Sequence, residues 1–350
     1  MSGFDLNRLV RPNIRALKPY SSARSEYSGE AAVFLDANEN AFGSPLQDDF
    51  NRYPDPLQVK LKQQLSKIKG VPVPNTFIGN GSDEVIDLAF RIFCEPGKSN
   101  VITCPPTYGM YRVCADINDI ACREVFLTGD FQLNIPGILE AVDADTRLIW
   151  ICSPNNPTGN SMRRVDIEIL LNNFDGMVLL DEAYINYASQ RSFIPELTEY
   201  ENLVVMQTLS KAWGLAALRL GLAFASERVI ELFNRVKPPY NINLASQQLG
   251  VQALGEVAAV NEKIRQTVEQ KEWLLQELPR YSCIRNVYPS DANFILVKTH
   301  GADRLYRYLT DKKIIVRNRS REPLCGNCLR ITVGTPAENR QLLAALNEYA

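Results

Sequence analysis

Three short apolar runs constrain this chain more than any other feature: Leu148-Ile149-Trp150-Ile151-Cys152, Met177-Val178-Leu179-Leu180 and Leu203-Val204-Val205-Met206. None alternates with polar residues, so each reads as a strand buried on both faces, as in a parallel sheet. Each run passes directly into a polar segment: Ser153-Pro154-Asn155-Asn156-Pro157-Thr158-Gly159, Asp181-Glu182-Ala183-Tyr184, and Gln207-Thr208-Leu209-Ser210-Lys211. Open α/β sheets bind ligands at the carboxyl ends of their strands, where such segments emerge.

Strands alternating with helical stretches continue to about residue 235, the pattern of a parallel sheet with helices on both faces. Lys237-Pro238-Pro239-Tyr240 then interrupts a helix and marks a boundary. Beyond it come a helical pattern near 256–278, an apolar strand near 293–297, a helix around Leu305, strands near 314 and 329, and a terminal helix. A chain of 350 residues exceeds what one hydrophobic core usually serves. The expected organisation is α/β: a polar N-terminal arm over 1–30 packing with the small domain, a large domain over 31–237, and a smaller α/β domain over 238–350.

Lys211 is awkward at the mouth of a buried strand unless its amine has a task. Desolvation lowers an ammonium pKa, and a neutral amine attacks aldehydes to form a Schiff base. Each neighbouring motif also has a plainer reading. Ser210-Lys211 could be a solvated loop, Asp181 a helix cap or ion-pair partner, and Asn156-Pro157-Thr158-Gly159 a simple turn. Taken in order, the chain offers an amide (Asn156), a carboxylate (Asp181), a phenol (Tyr184), an amine (Lys211) and a guanidinium (Arg219). Those are the groups pyridoxal phosphate requires. A carboxylate keeps its ring nitrogen protonated, Asn and Tyr bond the ring oxygen, Lys holds the aldehyde, and Arg takes the phosphate. Upstream, Gly79-Asn80-Gly81-Ser82-Asp83-Glu84 precedes an apolar helical pattern. Glycine lets the backbone come close there, and a helix start presents free N–H groups to an anion. The alternative is an ordinary glycine turn with Ser82 or Asp83 as N-cap.

On these residues the chain resembles the fold type I pyridoxal-phosphate enzymes, specifically the class I/II aminotransferases. The resemblance implies a large domain with a mostly parallel central sheet flanked by helices, plus a smaller α/β domain. It implies Lys211 as the Schiff-base lysine, Asp181 at the ring nitrogen, and Asn156 and Tyr184 at the ring hydroxyl. Gly81, Ser82, Asp83, Ser210 and Arg219 would surround the phosphate, and Tyr108 of Pro105-Pro106-Thr107-Tyr108 would stack on the ring. Asn51-Arg52-Tyr53-Pro54 is similar to the segment whose tyrosine reaches a neighbouring subunit's cofactor phosphate, so Tyr53 implies a homodimer with shared active sites.

Within that family the likeness runs closest to the histidinol-phosphate aminotransferases. It is carried by Leu35-Asp36-Ala37-Asn38-Glu39-Asn40, Arg52-Tyr53-Pro54-Asp55, Pro106-Thr107-Tyr108-Gly109-Met110-Tyr111 and Cys328-Leu329-Arg330-Ile331-Thr332-Val333-Gly334-Thr335. In the last segment, alternation sets Leu329, Ile331 and Val333 on one strand face and Arg330 on the other. An arginine there can clamp an anion through two parallel hydrogen bonds. The resemblance implies that Arg330 and Arg317 hold the phosphate of histidinol phosphate, with Tyr20 a third contact and Asn156 beside the substrate. The expected second substrate pair is 2-oxoglutarate and glutamate. An aromatic or general amino-acid aminotransferase and a phospho-amino-acid decarboxylase are the alternatives. The chain departs from the family at Ala41, where proline is frequent, and in the cysteine-bearing loop Leu324-Cys325-Gly326-Asn327-Cys328.

Composition narrows the field further. A net charge of −2 with interspersed signs offers no basic face for nucleic acid. No apolar run reaches membrane-spanning length, and Met1-Ser2-Gly3-Phe4-Asp5 lacks the features of a secretory signal, so a cytoplasmic location is expected. A single histidine, His300, removes Ser-His-Asp and Cys-His catalysis from contention and leaves the lone CxxC pair without a zinc partner set.

Overall fold

The computed structural model describes residues 3–20, 33–46 and 50–349. Strands β1 (Thr76–Asn80), β2 (Asn100–Thr103), β3 (Ala121–Glu124), β4 (Thr146–Cys152), β5 (Met177–Asp181), β6 (Leu203–Thr208) and β7 (Leu220–Phe224) form one sheet. Their order is β1-β7-β6-β5-β4-β2-β3. The run from β6 through β5, β4 and β2 to β3 is parallel, and β7 is antiparallel to both its neighbours.

The period of two sorts the apolar strands into two cores. Leu148, Trp150 and Cys152 of β4 join Met177 and Leu179 of β5 and Val204 and Met206 of β6 on one face. Ile149, Ile151, Val178, Leu180, Leu203 and Val205 fill the other. A strand buried on both sides has no place for polar alternation, which is why these segments read as unbroken apolar runs.

A second sheet is smaller and wholly antiparallel, in the order β10-β11-β9-β8. Its strands are β8 (Ile284–Val287), β9 (Phe294–Thr299), β10 (Arg317–Asn318) and β11 (Cys328–Thr332). Helices Val257–Glu277, Ala302–Asp311 and Pro336–Glu348 supply its separate apolar core, with Leu274, Leu305, Leu309, Leu342 and Leu346. The strand expected near 314 begins only at Arg317, because Lys313 adopts a left-handed φ of 61° and turns the chain first.

Two expectations of organisation are corrected. The N-terminal arm does not pack with the small domain in its described part. Leu6, Leu9, Val10 and Ile14 join the large-domain core with Phe90 and Phe93, and the Arg11 N–H donates to Ile92 O at 3.0 Å. Short apolar helices bury against the nearest apolar face, and here that face belongs to helix Ser82–Phe93. The break at Lys237 also ends a helix without ending the large core. Ile242, Leu254 and Val260 still pack in it, and Ser246 Oγ donates to Leu218 O at 2.9 Å. The passage to the small sheet runs along helix Val257–Glu277, from Val260 in one core to Leu274 in the other.

Candidate active site

Parallel strands β4, β5 and β6 end side by side, and their carboxyl ends deliver Asn156, Asp181 and Lys211 to one cavity of about 340 Å³. Ser82, Asp83, Tyr108, Tyr184, Ser210 and Arg219 line it from the large domain, and Arg317, Arg319 and Arg330 from the small one.

Asp181 lies at its floor. Its Oδ2 accepts from the Tyr111 hydroxyl at 2.7 Å and its Oδ1 from the Ala183 N–H at 3.0 Å. Burial raises its pKa on balance, offset only in part by these two bonds and by nearby Lys211. A carboxylate kept so dry is set to hold a cationic ring nitrogen. Asn156 Nδ2 comes within 3.5 Å of the Tyr184 hydroxyl, a donor pair suited to a ring oxygen. Burial drives the Tyr184 phenol well above its ordinary pKa.

Lys211 is exposed to the open mouth of the cavity, with its Nζ 5.6 Å from the Tyr184 ring centroid. The surrounding protein and then Arg330 lower its pKa, outweighing the attraction of Asp181. That shift favours the neutral, nucleophilic amine.

At the other end, helix Ser82–Phe93 opens at Gly81, whose φ of 77° suits glycine. The Gly81 N–H donates to Arg219 O at 2.7 Å, and Arg219 itself takes a left-handed φ of 54°. A Cβ on Gly81 would lie 2.4 Å from Arg219 Nη2, and one on Gly221 would lie 2.2 Å from Ser82 N. The two segments therefore approach backbone to backbone, leaving a guanidinium and a helix N-terminus at one spot: a phosphate cradle. Asp83 shares the sign of a phosphate. Its bonds go to Arg219 Nη2 at 3.3 Å and the Tyr108 hydroxyl at 3.1 Å, so it orients those two groups. The lining thus fits a flat aromatic aldehyde bearing a phosphate.

The facing wall is cationic. Arg330 donates to Asn156 Oδ1 across the cleft, and its Cζ stands 5.1 Å from the Phe294 ring centroid. Phe294 in turn meets Tyr184 edge to face at 5.1 Å. Arg317 pairs directly opposite Arg330 in the β10–β11 ladder.

Tyr20 is not brought here, and Tyr53, expected at a second copy's cofactor, lies outside this cavity. Tyr20 is 74% exposed and lines no part of this cavity, because the arm that carries it follows the outer helices of the large domain, where Arg15 O accepts from Arg235 Nη1. Tyr53 stacks on Tyr240 at 4.5 Å in a separate depression of about 520 Å³, alongside Glu39 and Arg52. Two residues escaped the sequence reading, Tyr111 and Arg319. Arg319 follows Arg317 by one strand period, a signal readable only once β10 is known.

Among the described residues there is no metal-ligating cluster and no helix long and apolar enough to cross a membrane.

Comparison with known proteins gives a consistent picture. The profile of the family "Aminotransferase class I and II" matches residues 25–346. A histidinol-phosphate aminotransferase from Bacteroides thetaiotaomicron is 52% identical over 345 residues, covering 98% of this chain and 99% of that protein. One from Cytophaga hutchinsonii is 50% identical over 346 residues, covering 99% of each. Among solved structures, the Sinorhizobium meliloti histidinol-phosphate aminotransferase in complex with pyridoxal-5'-phosphate shares the fold. Its TM-score is 0.79 at 23% identity, over 90% of each chain.

Proposed function

The chain belongs to the class I and II aminotransferases, alongside its histidinol-phosphate aminotransferase relatives, and on that footing we propose that it transfers the amino group of L-histidinol phosphate to 2-oxoglutarate. The products are imidazole acetol phosphate and glutamate, and the setting is histidine biosynthesis in the cytoplasm. The observation that carries the reading is a single cavity in which Lys211 and Asp181 of the large domain face three arginines of the small one.

Pyridoxal 5'-phosphate is the proposed cofactor. Lys211 bonds its aldehyde carbon, Asp181 holds the proton on its ring nitrogen, and Asn156 and Tyr184 bond its ring hydroxyl. Tyr108 covers a ring face. Gly81, Ser82, Ser210 and Arg219 take the phosphate, Asp83 aligns Arg219, and Tyr53 reaches the cofactor phosphate of a second copy in a homodimer. When bound, the cofactor supplies a protonated ring that draws electrons from the Cα–H bond of the attached amine. Lys211 Nζ, the group that would hold the aldehyde, would also accept the proton from the substrate Cα. The lowered proton affinity at Lys211 supports both tasks.

At the far wall Arg330 and Arg317 hold the phosphate ester of the amine, with Asn156 between substrate and cofactor. Arg330 would otherwise serve an α-carboxylate, and histidinol phosphate has none.

The test is a half-reaction. Cofactor-loaded protein is mixed in turn with histidinol phosphate, phenylalanine and phosphothreonine, with the cofactor's visible band and released carbon dioxide both followed. Conversion by histidinol phosphate, without carbon dioxide, is expected. Equal conversion by phenylalanine would make the protein a general aminotransferase, and carbon dioxide from phosphothreonine would make it a decarboxylase.

A further inference from the structure

We infer that Arg319 is a third guanidinium of the substrate-anion subsite, and that it tunes the site to a dianionic phosphate monoester over a monoanionic carboxylate. The inference rests on the histidinol-phosphate reading above and adds a residue to it.

Pleat geometry comes first. Arg317 stands opposite Arg330 in the β10–β11 pair, and the Arg319 N–H continues the ladder by donating to Cys328 O at 2.9 Å. Residues two apart on a strand share a face. Arg317 and Arg319 are therefore carried on the same side as Arg330, and all three line the cavity that holds Lys211.

Hydrogen bonding comes second. Arg319 is mostly buried, with 19% of its side chain exposed, and Nη1 is anchored by Glu322 Oε1 at 3.3 Å. Its Nε is buried and lacks a partner among the described residues. A guanidinium with an unused N–H donor, on a residue that lines the cavity, keeps capacity to bind a charged ligand oxygen. Arg330 differs, since its fork already engages Asn156. The proton affinity of Arg330 is lowered by burial first and by Arg319 second, and at Tyr184 Arg319 opposes part of the upward shift that burial imposes.

Charge comes third. Five cationic side chains and two carboxylates line the cavity. Arg219 and Asp83 offset one another, and Asp181 faces Lys211. On the small-domain side stand Arg317, Arg319 and Arg330, of which Arg319 shares its charge with Glu322 outside the cavity lining. One planar guanidinium fork satisfies a carboxylate. A phosphate monoester brings two charges and three terminal oxygens, enough for three such forks.

The test uses the cofactor-loaded enzyme with Arg319→Gln and Arg319→Lys. Steady-state constants are measured for histidinol phosphate and for histidinol, which keeps the amine and imidazole but lacks the phosphate. Arg319→Gln is expected to raise KM for the ester by about tenfold or more with kcat within about twofold, the loss of one charge-assisted contact. Histidinol should lose far less, and Arg319→Lys should recover part of the ester affinity. A parallel fall with both substrates, or an unchanged KM for the ester, overturns the inference. If the parent protein does not use histidinol phosphate at all, the proposed function fails on its own. Arg319 is then judged by inorganic phosphate competing with glutamate: a Ki raised by Arg319→Gln sustains the anion subsite, and an equal Ki ends it.

Discussion

The Tyr111 hydroxyl donates to Asp181 Oδ2 at 2.7 Å with both groups buried, and the Tyr111 ring lies stacked on Trp150 at 4.9 Å. The floor of the site is thereby tied to the centre of the large sheet. Replacing Tyr111 by Phe keeps the stack and removes one bond to a carboxylate, worth about 1.5–3 kcal/mol. Cofactor affinity and turnover should each fall by about tenfold or more, by titration of the visible band and by steady-state rates. Unchanged values would mean that the Ala183 N–H alone suffices to hold Asp181.

Gly221→Ala probes the phosphate cradle. The added methyl meets the backbone of Gly81 and Ser82 at 2.2 Å, where no side chain can swing aside. Overpacking of this kind costs about 1–3 kcal/mol and sometimes more. The midpoint of urea unfolding should drop, and cofactor affinity should drop further than stability alone explains. A variant that binds cofactor normally would show that the two segments separate easily.

Arg330→Lys separates charge from shape. An ammonium preserves the charge facing the cavity but not the planar fork that reaches Asn156 and lies 5.1 Å from the Phe294 ring. KM for histidinol phosphate should rise by about tenfold or more. Parent-like kinetics would reduce Arg330 to a point charge.

Lys62 gives a pH prediction. It is buried beside Lys237, and its pKa is lowered from 10.5 to about 8, first by desolvation, then by that second ammonium. The shift corresponds to about 3 kcal/mol. With the folded value below the unfolded one, the unfolded chain binds the extra proton between those limits. Stability is therefore full above pH 10.5 and is lost as pH falls through about 8. Lys62→Met should be the more stable protein at pH 7, and its advantage should shrink steadily towards pH 10.5 in urea melts. A constant gap would locate the effect in packing instead.

Much of this architecture is legible in the sequence. Asn156, Asp181 and Lys211 each follow an unbroken apolar run, so their types and their shared sheet edge are both legible. Tyr111 was hidden because it lies in the amphipathic helix Met110–Ile117 between other buried residues, where a phenol and a core ring look alike. Arg319 was hidden because β10 is only two residues long and its alternation has no apolar partner to reveal it. The arm was misplaced for a different reason. Leu6, Leu9 and Ile14 announce an apolar face, but which larger surface receives it depends on tertiary geometry.

The arginine-bearing hairpin belongs to a lobe with its own apolar interior, apart from the sheet that presents the lysine. Choice of substrate and bond-making chemistry thus reside on different sheets, joined outside the cleft where Leu296, Cys325 and Cys328 pack into the large core and the Asp291 N–H donates to Gly159 O at 2.7 Å. New anions could be accommodated by rewriting that short hairpin while the reactive apparatus opposite it stays as it is.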